Sequence, residues 1–247
     1  SVLAYSRGRF PTMAAVDLPL GYTSGKVATQ VANAVYEKFQ PKEFNDVQVM
    51  YFHAHGPGLL HTAKKPVKKL EDLKGLKLRA TGNSGKLVKI LGGTPVAMSM
   101  PDSYQAIQKG VVNGGMYPIE TNKGWKMGEV VDYCTETFPV AYTTTFFVVM
   151  NKDKWASIPA DAQKAILEIN QEWAAKHGQA WDDSDTAGRE FLLGLGKEII
   201  PMDEAEGKRW KEAATPLLED YVAEAGKKGL DGKAIVDFTV ATLQAAQ

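Results

Sequence analysis

From Asp161 to Leu195 the apolar residues keep close to helical spacing: Ala162, Ala165, Ile166, Ile169, Trp173, His177, Ala180, Trp181, Ala187, Phe191 and Leu195. Ser157, Pro159 and Asp161 make a favourable helix start just ahead of them. A helix of this length is too long to pack on one small domain, and its natural use is to lie across two lobes. Gly178 and Gly188, poor helix formers, mark where it would bend.

The preceding sequence alternates strand-like and helix-like segments. Val27–Phe39 has helical spacing and Val47–Phe52 reads as a strand. Leu76–Ala80 is a second strand, followed by a helix over Asn83–Leu91 that Gly92 and Gly93 stop. Thr94–Met98 is a third strand, and Pro101 opens a helix that Gly110 ends. Tyr142–Met150, rich in Thr, Phe and Val, is the longest strand candidate. Helices near Asp203–Ala225 and Gly232–Ala245 close the chain. This order predicts an α/β fold with a mostly parallel sheet. With the long helix, it predicts two α/β lobes around a cleft, a favoured ligand site. The crossings are expected near His55–Gly58 and Ala141–Thr144. That assigns 1–55 and 143–181 to one lobe, 56–142 and 182–230 to the other, and 231–247 to a C-terminal helix.

Composition narrows the function. Lys+Arg and Asp+Glu are both 29, so the net charge is zero and nothing calls for nucleic acid. No apolar run is long enough to span a bilayer, and no signal peptide opens the chain. The single Cys134 cannot form an internal disulfide and reads as a small buried apolar residue.

Catalytic patterns are missing. Gly82-Asn83-Ser84-Gly85-Lys86 follows a strand and opens a helix, but it lacks the spacing of a phosphate loop. The free N–H groups of that helix start still favour an anion. His53, His55 and His61, in a Gly/Pro-containing stretch, read as hydrogen-bonding loop residues rather than metal ligands. His177, on the apolar face of the long helix, reads as structural. No nucleophile elbow is present, and pairs such as Asp182–Asp183 and Glu204–Glu206 fall on solvated helix. No enzyme activity, metal or cofactor is expected. Arg79 differs: it ends a short strand otherwise suited to burial, and a guanidinium matches a carboxylate bidentately.

Leu70-Glu71-Asp72-Leu73-Lys74-Gly75-Leu76-Lys77-Leu78-Arg79 resembles the signature of the TRAP-transporter solute-binding proteins, the DctP-type family. So do Leu91–Met98, Tyr104–Gly114, Met150-Asn151-Lys152 with Trp155, and Ile158-Pro159, in order; Val16–Pro19 and Lys65-Pro66-Val67 fit as well. The match runs from about Val16 to about Ala174. The resemblance implies a periplasmic-binding-protein type of α/β fold. It implies a periplasmic protein, its signal peptide removed, that hands a small organic acid to TRAP membrane permease subunits. It also implies that Arg79 is the carboxylate-binding arginine, that Met100 walls the pocket, and that Tyr117 stands where many members place an Asn. The strand from Thr143 to Phe146 would line the cleft from the other lobe. Tyr51, His55 and Trp125 complete the expected ligand contacts, whereas Phe147, alternating with Phe146, is expected in the core.

Two departures from the family pattern refine this. Many members carry a second arginine before the Lys-Pro-Val motif, but here the stretch is Gly56-Pro57-Gly58-Leu59-Leu60. The expected ligand is therefore a monocarboxylate with an apolar or aromatic body. Members also begin with strand and helix units that precede Ser1 here, so the first lobe is expected to lack part of its sheet. An unpaired sheet edge invites pairing, which adds a dimer or strand exchange completing that lobe to the expected partners. An effector-binding domain of a regulator would need a DNA-binding unit, and a cleft enzyme would need a catalytic set; neither is present.

Overall fold

The computed structural model describes residues 1–6 and 8–247. After α1 (Gly25–Phe39) come β1 (Val47–Ala54), β2 (Gly58–Thr62), β3 (Lys77–Ala80), α2 (Gly82–Ile90), β4 (Thr94–Ala97), α3 (Met100–Gln108), β5 (Gly114–Pro118) and the short α4 (Thr121–Gly124). The second half runs β6 (Tyr133–Glu136), β7 (Thr145–Asn151), α5 (Lys152–Ala156), α6 (Ala160–Gly194), β8 (Glu198–Pro201), α7 (Glu204–Ala214), α8 (Pro216–Gly226) and α9 (Gly232–Ala246). No helix among the described residues is long and apolar enough to cross a membrane.

The strands form two sheets. In the first lobe β1 and β7 pair antiparallel, and Val2 bridges to Phe146. In the second lobe six strands lie in the order β4-β3-β5-β2-β6-β8. This sheet is mostly parallel, as expected, with one strand reversed. β3 runs parallel to β4 and β5, and β6 parallel to β8, but β2 is antiparallel to both neighbours. The cause is the crossover: β2 enters this sheet directly from the first lobe, without a helix to turn it. The expected histidine loop is corrected. His53 lies on β1 and His61 on β2, a strand buried along its whole length. Gly58 and Pro57 mark its entry, and Leu59 and Leu60 on opposite faces anchor it in two clusters.

The first-lobe core packs Phe10, Phe44 and Phe52 with Val31 and Val35 of α1. In the second lobe, Leu78, Leu87, Met116 and Trp210 pack on one sheet face, and Leu59, Ile107, Tyr117 and Cys134 on the other. Burial pushes the Cys134 thiol pKa far up, so it stays protonated and inert. The single helix expected over Asp203–Ala225 is two, because Pro216 lacks an N–H and restricts Thr215 before it. Leu217 of α8 reaches the second-lobe core, while Tyr221 and Ala225 pack with Ala15 and Leu18.

The long helix α6 runs unbroken through Gly178 and Gly188. These glycines serve close approach. A Cβ on Gly178 would sit 2.8 Å from Lys26 Cα, and one on Gly188 2.3 Å from the Ile119 carbonyl. Between them, the Asp182 carboxylate accepts from the Gly25 N–H at the start of α1 (2.6 Å), and Asp185 from the Glu120 N–H (3.0 Å). One helix thus grips both lobes within a turn.

Candidate functional site

Arg79 is the third residue of β3. Strand alternation sends Leu78 and Ala80 into the cluster with Leu87 and Met116, and Arg79 to the opposite face. Its side chain is buried, with 4% of the residue exposed. The guanidinium donates from Nε to the Met98 carbonyl (3.1 Å) and from Nη1 to the Met116 carbonyl (3.3 Å). Nη2 has no hydrogen-bond partner, and no carboxylate reaches ion-pair distance of Arg79, among the described residues. A buried cation ordinarily requires a counter-charge. Here the two carbonyls hold the group in place and leave its charge uncompensated.

The segments that join the lobes pass beside it. Gly58 N–H donates to the Tyr142 carbonyl (2.7 Å), and the Thr143 hydroxyl to the His55 carbonyl (2.6 Å). His55 Nδ1–H donates to the Gly56 carbonyl (2.6 Å), which fixes the ring. Burial, with the Arg79 charge as a lesser cause, lowers the His55 pKa to about 4. The ring is therefore neutral near pH 7. Tyr142 meets His55 edge-on at 5.7 Å between centroids. Burial raises the Tyr142 pKa to about 12, with the Arg79 charge opposing.

A stack of rings continues along the first lobe. Phe146 stacks on His53 (4.8 Å), and His53 on His177 (3.7 Å). Trp181 Nε1–H donates to His53 Nδ1 (3.1 Å), and the Tyr51 hydroxyl lies 3.4 Å from His177 Nδ1. Burial lowers the His53 pKa to about 3, so it accepts from Trp181 as a neutral base. Phe147 turns the other way, into the core beside Phe10 and Phe44.

On the second lobe, Tyr117 stacks on His61 at 4.1 Å and packs with Met100 and Leu59. Its hydroxyl is buried without a partner among the described residues, and burial holds its pKa well above the ordinary value. The Met100 N–H, at the start of α3, donates to the Tyr5 hydroxyl (3.1 Å). The structure thus gathers Arg79, His55 and Tyr117 with Thr143 and Phe146 around the crossings, and sets Tyr51 beyond the ring stack. Trp125, after α4, is 45% exposed and joins none of these contacts. Tyr142, His53 and Trp181 were not anticipated. Tyr142 lay inside the expected crossing, which was a usable signal; nothing local marks Trp181 or His53 as partners 128 residues apart.

Two cavities border this region. One of about 560 Å³ lies between Leu3–Asp17, Ala80–Lys89 and Tyr221–Lys228; the other, of about 360 Å³, lies behind the crossings against Asp182, Asp185 and Arg189.

Comparison with known proteins places these features in a group. The family model described as "Bacterial extracellular solute-binding protein, family 7" matches residues 1–225. An outer membrane transporter protein, TsaT, of Comamonas testosteroni is 26% identical over 228 residues, covering 90% of this chain and 67% of its own length. The curated relatives matched are spanned over about half to two thirds of their length, from 50% to 67%. Among solved structures, a marine metagenome TRAP solute-binding protein specific for aromatic acid ligands, in complex with metahydroxyphenylacetate, superposes with a TM-score of 0.94 at 28% identity. It covers all of this chain and 79% of its own. A TRAP solute-binding protein from Rhodoferax ferrireducens, in complex with copurified benzoate, gives 0.93 at 28% identity, over 100% and 78%.

Proposed function

Since this chain belongs to the bacterial extracellular solute-binding protein family 7, we propose that it captures a monocarboxylate with an aromatic or apolar body between its lobes. Arg79 holds the carboxylate, and the protein delivers the acid in the periplasm to the permease subunits of a TRAP transporter. The observation that carries this reading is the buried Arg79 guanidinium, anchored by two carbonyls and lacking any acidic partner among the described residues. A ligand carboxylate would supply the missing charge through Nη2 in a desolvated site, where charged hydrogen bonds are strongest.

The proposed walls are Met100 and Tyr117 on the second lobe, with His55, Thr143 and Phe146 at and beyond the crossings. Tyr51 and Trp125 stand at the rim of the proposal. The proposed lobes are 1–55 with 143–181 and 56–142 with 182–230, followed by the C-terminal helix of 231–247. Neutral His55 and the rings of Phe146 and Tyr142 offer apolar faces and no second cation, which suits one carboxylate on a ring better than a diacid. The related proteins crystallised with benzoate and metahydroxyphenylacetate point the same way.

A thermal-shift panel tests the reading. Benzoate and phenylacetate are expected to raise the melting temperature in a concentration-dependent way, and succinate to leave it unchanged. A rise with succinate alone would overturn the choice of ligand class.

A further inference from the structure

The Gly82–Lys86 segment, which opens α2 after a strand in the manner of a phosphate loop, faces the opposite lobe. A Cβ on Gly82 would come within 3.1 Å of the Ala4 side chain. Asn83 Nδ2 donates to the Ala14 carbonyl (2.8 Å), and Lys86 pairs with Glu224 (2.6 Å). Beside α2, the first N–H of α3 donates from Met100 to the Tyr5 hydroxyl (3.1 Å). α2 and α3 follow β3 and β4 and belong to the second lobe. Ala4, Tyr5 and Ala14 belong to the first, and Glu224, within the stretch assigned to the second, sits on the half of α8 that packs against the first. Ala14 packs with the first-lobe cluster of Ala15 and Leu18. Glu224 lies on the half of α8 that the Tyr221 hydroxyl fastens to the Pro11 carbonyl (3.0 Å).

Four contacts therefore cross from lobe to lobe along one side of the cleft. They surround the cavity of about 560 Å³ instead of a packed core. A packed apolar seam would lock the lobes. A few polar contacts around open space can part and re-form as the lobes hinge on the crossings and α6.

We propose that Tyr5, Asn83 and the Lys86–Glu224 pair form a latch that holds the lobes together and sets ligand affinity without touching the ligand. They are positioning residues. A ligand that needs both lobes binds in proportion to the fraction of molecules in which the lobes meet, so weakening the latch raises the apparent Kd by the loss in that fraction. The affinity part rests on the solute-binding reading; the conformational part does not.

The test uses the full 247-residue chain with Tyr5→Phe, Asn83→Ala and Glu224→Gln, singly and together. Small-angle scattering reads the ligand-free chains, and calorimetry reads benzoate and phenylacetate. The triple variant is expected to show a larger radius of gyration than the wild type, returning to the wild-type value at saturating benzoate. Tyr5→Phe and Asn83→Ala should each weaken binding by about two- to tenfold, the range for one lost hydrogen bond. Glu224→Gln should do least, because its pair is solvent-exposed. Each factor should be the same for both acids. Exchanging the charges, Lys86→Glu with Glu224→Lys, should recover what either change alone loses. A triple variant with an unchanged scattering curve overturns the latch. So does one that opens yet keeps wild-type affinity, or one whose losses differ between the two acids. If the wild type binds neither acid, the ligand assignment fails, and the scattering comparison still decides the latch.

Discussion

Arg209 and Arg79 meet opposite surroundings in the same lobe. Arg209, on α7, is half exposed and lies between two carboxylates, Glu71 and Glu206. Arg79, on β3, is buried and meets only the carbonyls of Met98 and Met116. Simple accounting of charge would reverse this pattern. Water already solvates the exposed arginine, and a counter-ion adds little there. The buried one pays for desolvation and has no counter-ion to offset it. Asp17 repeats the contrast in the first lobe. It is 6% exposed and lines the larger cavity, and its Oδ1 accepts from the Thr145 N–H (2.9 Å) and hydroxyl (2.8 Å), with no ion pair among the described residues. Arg209, on the outer surface, is paired, whereas Arg79 and Asp17, beside the cleft, are held by hydrogen bonds with no opposite charge at ion-pair distance among the described residues. A chain selected only for stability would not keep the second kind, so Arg79 points to a partner that arrives from outside.

The sharpest way to break the comparison is to remove Arg79. Arg79→Ala should weaken binding of the aromatic acid by about tenfold to a hundredfold, the range for a charged hydrogen bond of roughly 1.5–3 kcal/mol. Arg79→Lys should also lose affinity, because an ammonium cannot keep both carbonyl anchors and still present a planar fork. Calorimetry with benzoate reads both variants, and circular dichroism confirms the fold. Wild-type affinity in both would mean that Arg79 is merely a buried structural cation.

Asp17 gives the next largest effect, in stability rather than affinity. Burial raises its pKa from 3.8 to about 7, against the hydrogen bonds from Thr145. Between those values the folded chain keeps a proton that the unfolded chain has released. The stability this group contributes is therefore highest below the window, falls as pH rises through it, and stays low above about 7. Asp17→Asn keeps an acceptor for Thr145 and cannot titrate. It should melt above the wild type at about pH 8, and the gap should close as pH falls toward about 4. A constant gap across that range would show that Asp17 does not carry the proton.

The sequence revealed the parts of this arrangement that depend on local rules. The spacing of apolar residues located α1, α2, α3 and α6, and the strand end placed Arg79. β2, β5, β6 and β8 escaped notice because none shows a readable apolar alternation, and β2, β5 and β6 lack the marked helix start that follows directly on β3 and β4. Gly114 and Gly115 open β5 where a Cβ would meet the His61 carbonyl or the Arg79 side chain, so their meaning lies in a neighbouring strand. Tyr117 shows the same limit. Its position in the chain suggested a ligand contact, but its stack on His61 and its sealed hydroxyl depend on β2 lying beside β5. The proposed site draws on residues far apart in the chain; Arg79 stood out by its residue type on its strand, and Met100, Tyr117, Thr143 and Phe146 only through the family resemblance.

The smallest expected effect completes the comparison. Arg209→Ala removes the shared cation of Glu71 and Glu206, yet Arg209 and Glu71 are about half exposed. Water and salt can replace the lost cation. The variant should bind benzoate like the wild type, and its melting temperature should move little. Any loss should fade as added salt screens the pair in the wild type. Glu206 sets the one reservation built into the fold: it also accepts from the Leu70 N–H (3.2 Å), so Glu206→Ala should cost more than Arg209→Ala by freeing a backbone donor. A melting-temperature series in salt separates the two. If Arg209→Ala proved as damaging to binding as Arg79→Ala, the distinction between paired surface charge and unpaired cleft charge would collapse.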